Sequence, residues 1–164
     1  MTTGHKVLEV TDKNNVVIDE IYNASKQVVE ESENEDFSDK RPNEISNALE
    51  DRLRVKLHGG IPEHKVAGYP NVVIEREGET YYIEVKLAGL DQLGSSFRSF
   101  YYEPVELAKV KKDAYHILVG FAHQDRKVIK FKIVDVSKIS VNLKSEFNTN
   151  NKELYKPEAI LREY

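Results

Sequence analysis

No cysteine occurs in the 164-residue chain, which removes disulfides, cysteine-bound zinc and thiol nucleophiles. Any chemistry must use oxygen or nitrogen ligands, hydroxyls, amines or imidazoles. No apolar run approaches the roughly 18 residues of a membrane span, so membrane insertion is not expected. The first residues, MTTGHKVLEVTDKNN, lack both the apolar segment and the small-residue cleavage site of a secretory signal, and a cytoplasmic location is expected. The five histidines show no H-x-x-x-H spacing, which disfavours zinc. Neither HGG (58–60) nor LAGLDQLG (87–94) matches a Walker or dinucleotide loop, so no nucleotide cofactor is expected. Internal repeats and low-complexity tracts are also missing.

What remains is the composition of a soluble globular protein, 40% hydrophobic and 32% charged, with room for one domain and its core. The net charge of −4 argues against a polyanionic partner until its distribution is considered. Residues 1–51 hold 5 basic and 13 acidic groups, residues 52–138 hold 15 and 11, and residues 139–164 balance. The acidic excess therefore belongs to the N-terminal third, including EESENED (30–36). The mildly positive middle is compatible with a nucleic-acid substrate and equally with an ordinary solvated surface.

Hydrophobic spacing gives the order of elements. Val17, Ile21, Ala24, Val28 and Val29 recur at helical period within residues 16–32, and an acidic loop follows to about Pro42. A second helix is expected from about Asn43, with Ile45, Leu49, Leu53 and Leu57 as its apolar stripe and HGG as its end. NVVIER and TYYIEVKL, joined by EGE, read as a hairpin. A long loop, GLDQLGSSFRSFYYE, precedes a short helix opened by Pro104, PVELAKVKKD. Two strands, AYHILVGFA and KVIKFKIVDV, come next, and a last helix is expected to open at Pro157. This order predicts an α/β sandwich with a mixed sheet, in which TYYIEVKL and AYHILVGFA are parallel and joined by a right-handed crossover.

Within TYYIEVKL the period of two puts Tyr81, Ile83, Val85 and Leu87 on one face and Tyr82, Glu84 and Lys86 on the other. A two-residue turn at Glu77 and Gly78 would set Asn71 opposite Glu84, whereas a turn shifted by one would set it opposite Lys86. Either register gathers three polar side chains at one end of the hairpin. Hydrolysis of a phosphodiester needs an activated water and a counter-charge for the developing oxyanion, and hard oxygen ligands holding Mg²⁺ beside an ammonium group supply both. On this reading Glu84 holds the ion, the Val85 carbonyl is available as a further ligand, and Lys86 orients or helps deprotonate the attacking water or stabilises the phosphate charge.

Pro70-Asn71, twelve residues, then Glu84-Val85-Lys86 resembles the PD-(D/E)xK nuclease motif. The order of elements over residues 43–136 is similar to that superfamily's restriction-endonuclease-like core, α-β-β-α-β-β. Within it the chain looks most like the small type II restriction endonucleases, for which SSFRSFYYEP and KISVNLKSEFNTNNKELY supply the likeness. The resemblance implies a single nuclease-like domain over 1–164, comprising an N-terminal helix and acidic loop (1–42), a catalytic core (43–136) and a C-terminal extension (137–164). It further implies Mg²⁺ as cofactor, double-stranded DNA as substrate, 5′-phosphate and 3′-hydroxyl products, and a homodimer that cuts a short symmetric site. An acidic residue on the preceding helix is part of the pattern. Glu50 is carried over to that role, with Glu44 as its substitute.

The departure is Asn71, where the family has an aspartate that charges the metal site. A carboxamide oxygen still coordinates but brings no charge, so this chain is expected to cut poorly or not at all. Three accounts fit: a deliberate inactivating substitution, a natural variant compensated by Glu75 or Glu50, or a natural DNA-binding module without activity. A structure-specific resolvase or repair nuclease on the same fold is a further alternative, marked by cleavage of branched rather than linear DNA. Arg98, Tyr101, Tyr102, Lys109, Lys111 and Lys112 are candidate DNA contacts, because guanidinium forks and ammonium groups meet phosphates and tyrosines stack on bases. Loop packing for the tyrosines and a solvated helix flank for the lysines account for them equally well. Glu50 has its own ordinary reading as an i,i+4 partner of Arg54, and His58 and His64 are read as loop histidines beside the motif.

Overall fold

Thr11 and Asn14 start the first helix. The Thr11 N–H donates to Asn14 Oδ1 at 3.0 Å in a short 3-10 turn (Asp12–Asn14), and the buried Asn14 Nδ2 donates to Tyr81 Oη at 2.8 Å, which ties the helix entrance to the sheet. Helix α1 (Asn15–Ser32) then buries Val17, Ile18, Ile21, Ala24, Val28 and Val29. Helix α2 (Pro42–Lys56) opens on a proline at its first turn, where Glu44 Oε2 accepts the Arg41 N–H at 2.8 Å. Ile45, Leu49, Leu53 and Leu57 are fully buried, as their spacing predicts. The computed structural model describes residues 5–64, 69–92, 110–139, 142–143, 147–148 and 151–164.

Among the described residues the main sheet is mixed and has six strands. In chain order these are β1 (Val7–Leu8), β2 (Val72–Arg76), β3 (Glu79–Gly89), β4 (Ala114–Gln124) and β5 (Lys127–Asp135), with a late strand, β8 (Ile160–Glu163), at the far side. Their spatial order is β2-β3-β4-β5-β8, and β1 lies parallel beside the first residues of β4. Strands β3 and β4 are parallel, as expected of a pair joined by a long crossover, while the other neighbours along the path are antiparallel. Strands β6 (Asn142–Leu143) and β7 (Phe147–Asn148) pair with each other, and helix α3 (Asn151–Leu154) follows. This is an α/β architecture compatible with a restriction-endonuclease-like core.

Alternation along β3 separates two cores. Tyr81, Ile83 and Val85 face α1 and α2 and join Leu49, Leu53, Tyr115, Ile117 and Val119. Tyr82 faces the other way and packs with Tyr69, Leu118, Val134, Leu154 and Tyr155. Glu84 and Lys86 share the parity of Tyr82, so the candidate site lies on the face away from the two long helices.

One expectation needs correction, one falls largely outside the described residues, and one strand was not expected. The C-terminal helix at Pro157 does not form: the helix is α3, before the proline, and residues 160–163 instead pair with β5, anchored by the Asp135 N–H donating to Ala159 O at 2.8 Å. Pro157 can open a helix, but a strand edge needing partners outcompetes that local tendency. The helix expected over 104–113 lies largely outside the described residues, and its described end, 110–113, is not helical. There the Lys111 N–H donates to Tyr82 Oη at 3.1 Å. Strand β1 was not foreseen; two residues are too few for a period to be visible. No helix among the described residues is long and apolar enough to cross a membrane.

Candidate active site

The hairpin turns at Glu77 and Gly78, both with positive φ (53° and 76°), and Arg76 pairs with Glu79. The ladder then runs back to Val72 opposite Ile83, so Asn71 falls opposite Glu84, the first of the two registers considered. Asn71 closes the ladder with both its backbone and its side chain. Its N–H donates to Ile83 O at 3.1 Å, and its Oδ1 accepts the Val85 N–H at 2.7 Å. That second bond orients the carboxamide: a flipped amide would set N–H against N–H, so the oxygen lies against the strand and Nδ2 is its other end.

Glu84 is 4% exposed, in the middle of the sheet's second face. Lys86 Nζ lies 3.6 Å from Glu84 Oε2, an ion pair at the long end of the range in which the lysine stays partly open to solvent. A carboxylate this deep is stabilised by a cation alongside it, and the ammonium is the cation the pair supplies. The oxygen donors here, the Glu84 carboxylate, the Asn71 carboxamide and the Val85 carbonyl, are all hard. They fit Mg²⁺, which accepts one or two protein oxygens and keeps several waters. Among the described residues no three Asp, Glu, His or Cys side chains gather to hold a metal. With asparagine at 71, Glu84 is the carboxylate of the Pro70-Asn71/Glu84-Val85-Lys86 motif itself.

The remaining sequence candidates are dispersed. Glu50 is half-buried on α2, which packs against the opposite face of β3, so it starts from the other layer of the sandwich. Arg54 bonds Asp51 Oδ1, its i,i+3 neighbour, at 3.0 Å. Glu44 caps the N-terminus of α2. Glu75 stands at the turn end of the hairpin, where its Oε1 accepts from Thr80 Oγ1 at 2.8 Å and from Lys112 Nζ at 3.1 Å; it does not adjoin Asn71. Lys111 and Lys112 are exposed, and His58 is exposed after α2. Arg98, Tyr101, Tyr102, Lys109 and the His64 side chain lie outside the described residues.

Two groups near the motif escaped the sequence reading. Tyr69, two residues before Asn71, meets His116 Nδ1 through its hydroxyl at 2.8 Å, and the two rings stack with an interplanar angle of 7°. His116 pairs in register with Tyr82 and is fully buried; desolvation lowers its pKa to about 4, so it is neutral at physiological pH. The Tyr69 anchor thus fixes the approach of the chain to Asn71. The second group is Tyr155, whose ring lies on Gly120 in the centre of β4. A glycine inside an otherwise continuous apolar strand was the visible signal for that close approach.

Comparison with known proteins adds a family. The model of the Type II restriction enzyme MjaV family matches residues 1–158. The chain is also similar to the Type II restriction enzyme MjaV of Methanocaldococcus jannaschii, with 29% identity in an alignment covering 99% of this chain and 85% of the relative. No solved structure matches the chain significantly.

Proposed function

We infer that this chain, which belongs to the Type II restriction enzyme MjaV family, is a Mg²⁺-dependent endonuclease of the PD-(D/E)xK type acting on double-stranded DNA, with Asn71 weakening its site. The observation that carries the assignment is the placement of Asn71, Glu84 and Lys86 on one face at one end of the hairpin, with Lys86 Nζ 3.6 Å from Glu84 Oε2. Glu84, the Val85 carbonyl and position 71 are the residues that would hold the ion. Mg²⁺ would supply Lewis-acid polarisation of the phosphate and a more acidic water. Lys86 positions the attacking water and offsets charge on the phosphate oxygens. Glu84, buried and held against Lys86, gives both groups a fixed direction.

Asn71 decides how well this works. With Oδ1 already accepting the Val85 N–H, the carboxamide brings a shared lone pair and no charge to the ion. The test is cleavage of plasmid and phage DNA in Mg²⁺ by this chain, by Asn71→Asp and by Asn71→Asp carrying Lys86→Ala. Discrete fragments that appear or strengthen with Asn71→Asp and vanish with Lys86→Ala are expected. Undiminished cutting by the lysine variant removes Lys86 from the mechanism. The same orientation of Asn71 favours one second reading, a DNA-binding module without activity. That reading predicts binding to duplex DNA with no cleavage even after the aspartate is introduced.

A further inference from the structure

The row of residues across the sheet at Lys86 carries an unused polar group. In register with Lys86 on β3 stand Gly120 on β4 and Lys132 on β5, all three on the face that bears Glu84. Tyr155, which follows α3, lies on this row. A Cβ placed on Gly120 would come within 2.0 Å of Tyr155 Oη and 2.6 Å of Cε1 and Cζ, so the hydroxyl end of the ring occupies the space that glycine leaves. The hydroxyl thus sits one strand away from Lys86, with Lys132 on the other side. Tyr155 is 8% exposed, and its Oη is buried with no hydrogen-bond partner among the described residues.

Both features cost stability that packing alone would not require. A buried hydroxyl without a partner loses its hydration for nothing, and phenylalanine would fill the same space. Glycine in mid-strand adds backbone entropy and leaves no side chain to pack. Burial pushes the phenol above its ordinary pKa, so it stays a neutral donor beside two lysines. Glu84 and Tyr155 are both buried on this face, at 4% and 8% exposure.

We propose that Tyr155 is a further catalytic residue: its hydroxyl donates a hydrogen bond to a non-bridging oxygen of the phosphate that Lys86 engages. This rests on the nuclease reading above. Lys132 completes the row as a second cation, held at present 3.4 Å from Glu163. A neutral donor placed before the reaction adds selectively to transition-state charge without repelling the lysines, and removing one such donor costs on the order of 100-fold in rate.

The test is Tyr155→Phe in the Asn71→Asp chain, followed by single-turnover cleavage in Mg²⁺, duplex-DNA affinity in Ca²⁺ and thermal unfolding without DNA. A cleavage rate lower by about 100-fold, with affinity within about three-fold and a melting temperature equal or higher, is expected. The opposite movement of rate and stability distinguishes a catalytic hydroxyl from a structural one. Cleavage at the parent rate, or a lower melting temperature together with the slower rate, overturns the proposal while leaving the nuclease reading intact. A parent that cuts no DNA overturns both.

Discussion

Asn71 has one task that the structure shows, closing the hairpin ladder, and one that we propose, at the metal site, and substitutions separate them. Its Oδ1 closes the hairpin ladder on the Val85 N–H, so Asn71→Ala leaves that donor without a partner and should lower unfolding free energy by about 1–2 kcal/mol. Aspartate keeps an acceptor there but brings a second carboxylate opposite Glu84, which is nearly inaccessible to solvent. Like charges at that separation repel, and a divalent cation relieves them. Asn71→Asp should therefore melt lower than the parent in EDTA and regain stability in millimolar Mg²⁺, whereas Asn71→Ala should gain little. Equal Mg²⁺ responses in all three proteins would remove position 71 from the metal site.

His116 makes a prediction of another kind at the same scale. Its pKa is lowered to about 4 by desolvation, below the ordinary value of 6.5 that it recovers on unfolding. Between those values the unfolded chain binds a proton that the folded chain does not. Stability from this group is thus complete above about pH 6.5 and falls as the pH drops towards 4, by an amount on the order of 3 kcal/mol. Urea unfolding at pH 7, 5.5 and 4.5 should show the loss, and His116→Gln should flatten it. An unchanged pH slope in that variant would assign the acid sensitivity to other groups.

At the scale of elements, the hairpin turn sets the site. Glu77 and Gly78 both have positive φ, which glycine adopts without strain and a glutamate adopts at a cost. Gly78→Ala should destabilise by about 1 kcal/mol and Glu77→Asn should stabilise by a few tenths. Both effects should appear in thermal melts with the position of DNA cutting unchanged. This turn also explains why the motif was legible: once the two-residue loop is chosen, counting outward places Asn71 against Glu84 without any three-dimensional information. The helices were legible for the same reason, because Ile45, Leu49, Leu53 and Leu57 repeat at the period of the structure that buries them. Tyr155 was not legible. Its partner, Gly120, is 35 positions away in sequence, and only the return of the chain past β5 brings them together. Pro157 misled because a local helix start and a distant strand edge competed, and pairing with β5 won.

At the scale of the molecule, the sheet presents one candidate site per chain, beside the edge strand β2 and away from α1 and α2. A duplex offers two antiparallel strands related by two-fold axes, so a double-strand break in one encounter needs two such sites related by the same symmetry. The expected assembly is a dimer on DNA. Sedimentation of the Asn71→Asp form with a cognate duplex in Ca²⁺ should give two chains per duplex. Mixed with a Glu84→Ala chain, it should leave nicked circles in proportion to the heterodimers formed, because one half then cuts and the other does not. A single chain per duplex that still linearises plasmid without a nicked intermediate would require both strands to visit one site. The acidic N-terminal third, with 13 acidic against 5 basic groups, would repel DNA if it lay along the phosphates. Its helix α1 covers the sheet face opposite Glu84, so it lies on the other side of the sheet from Lys86 and Lys132.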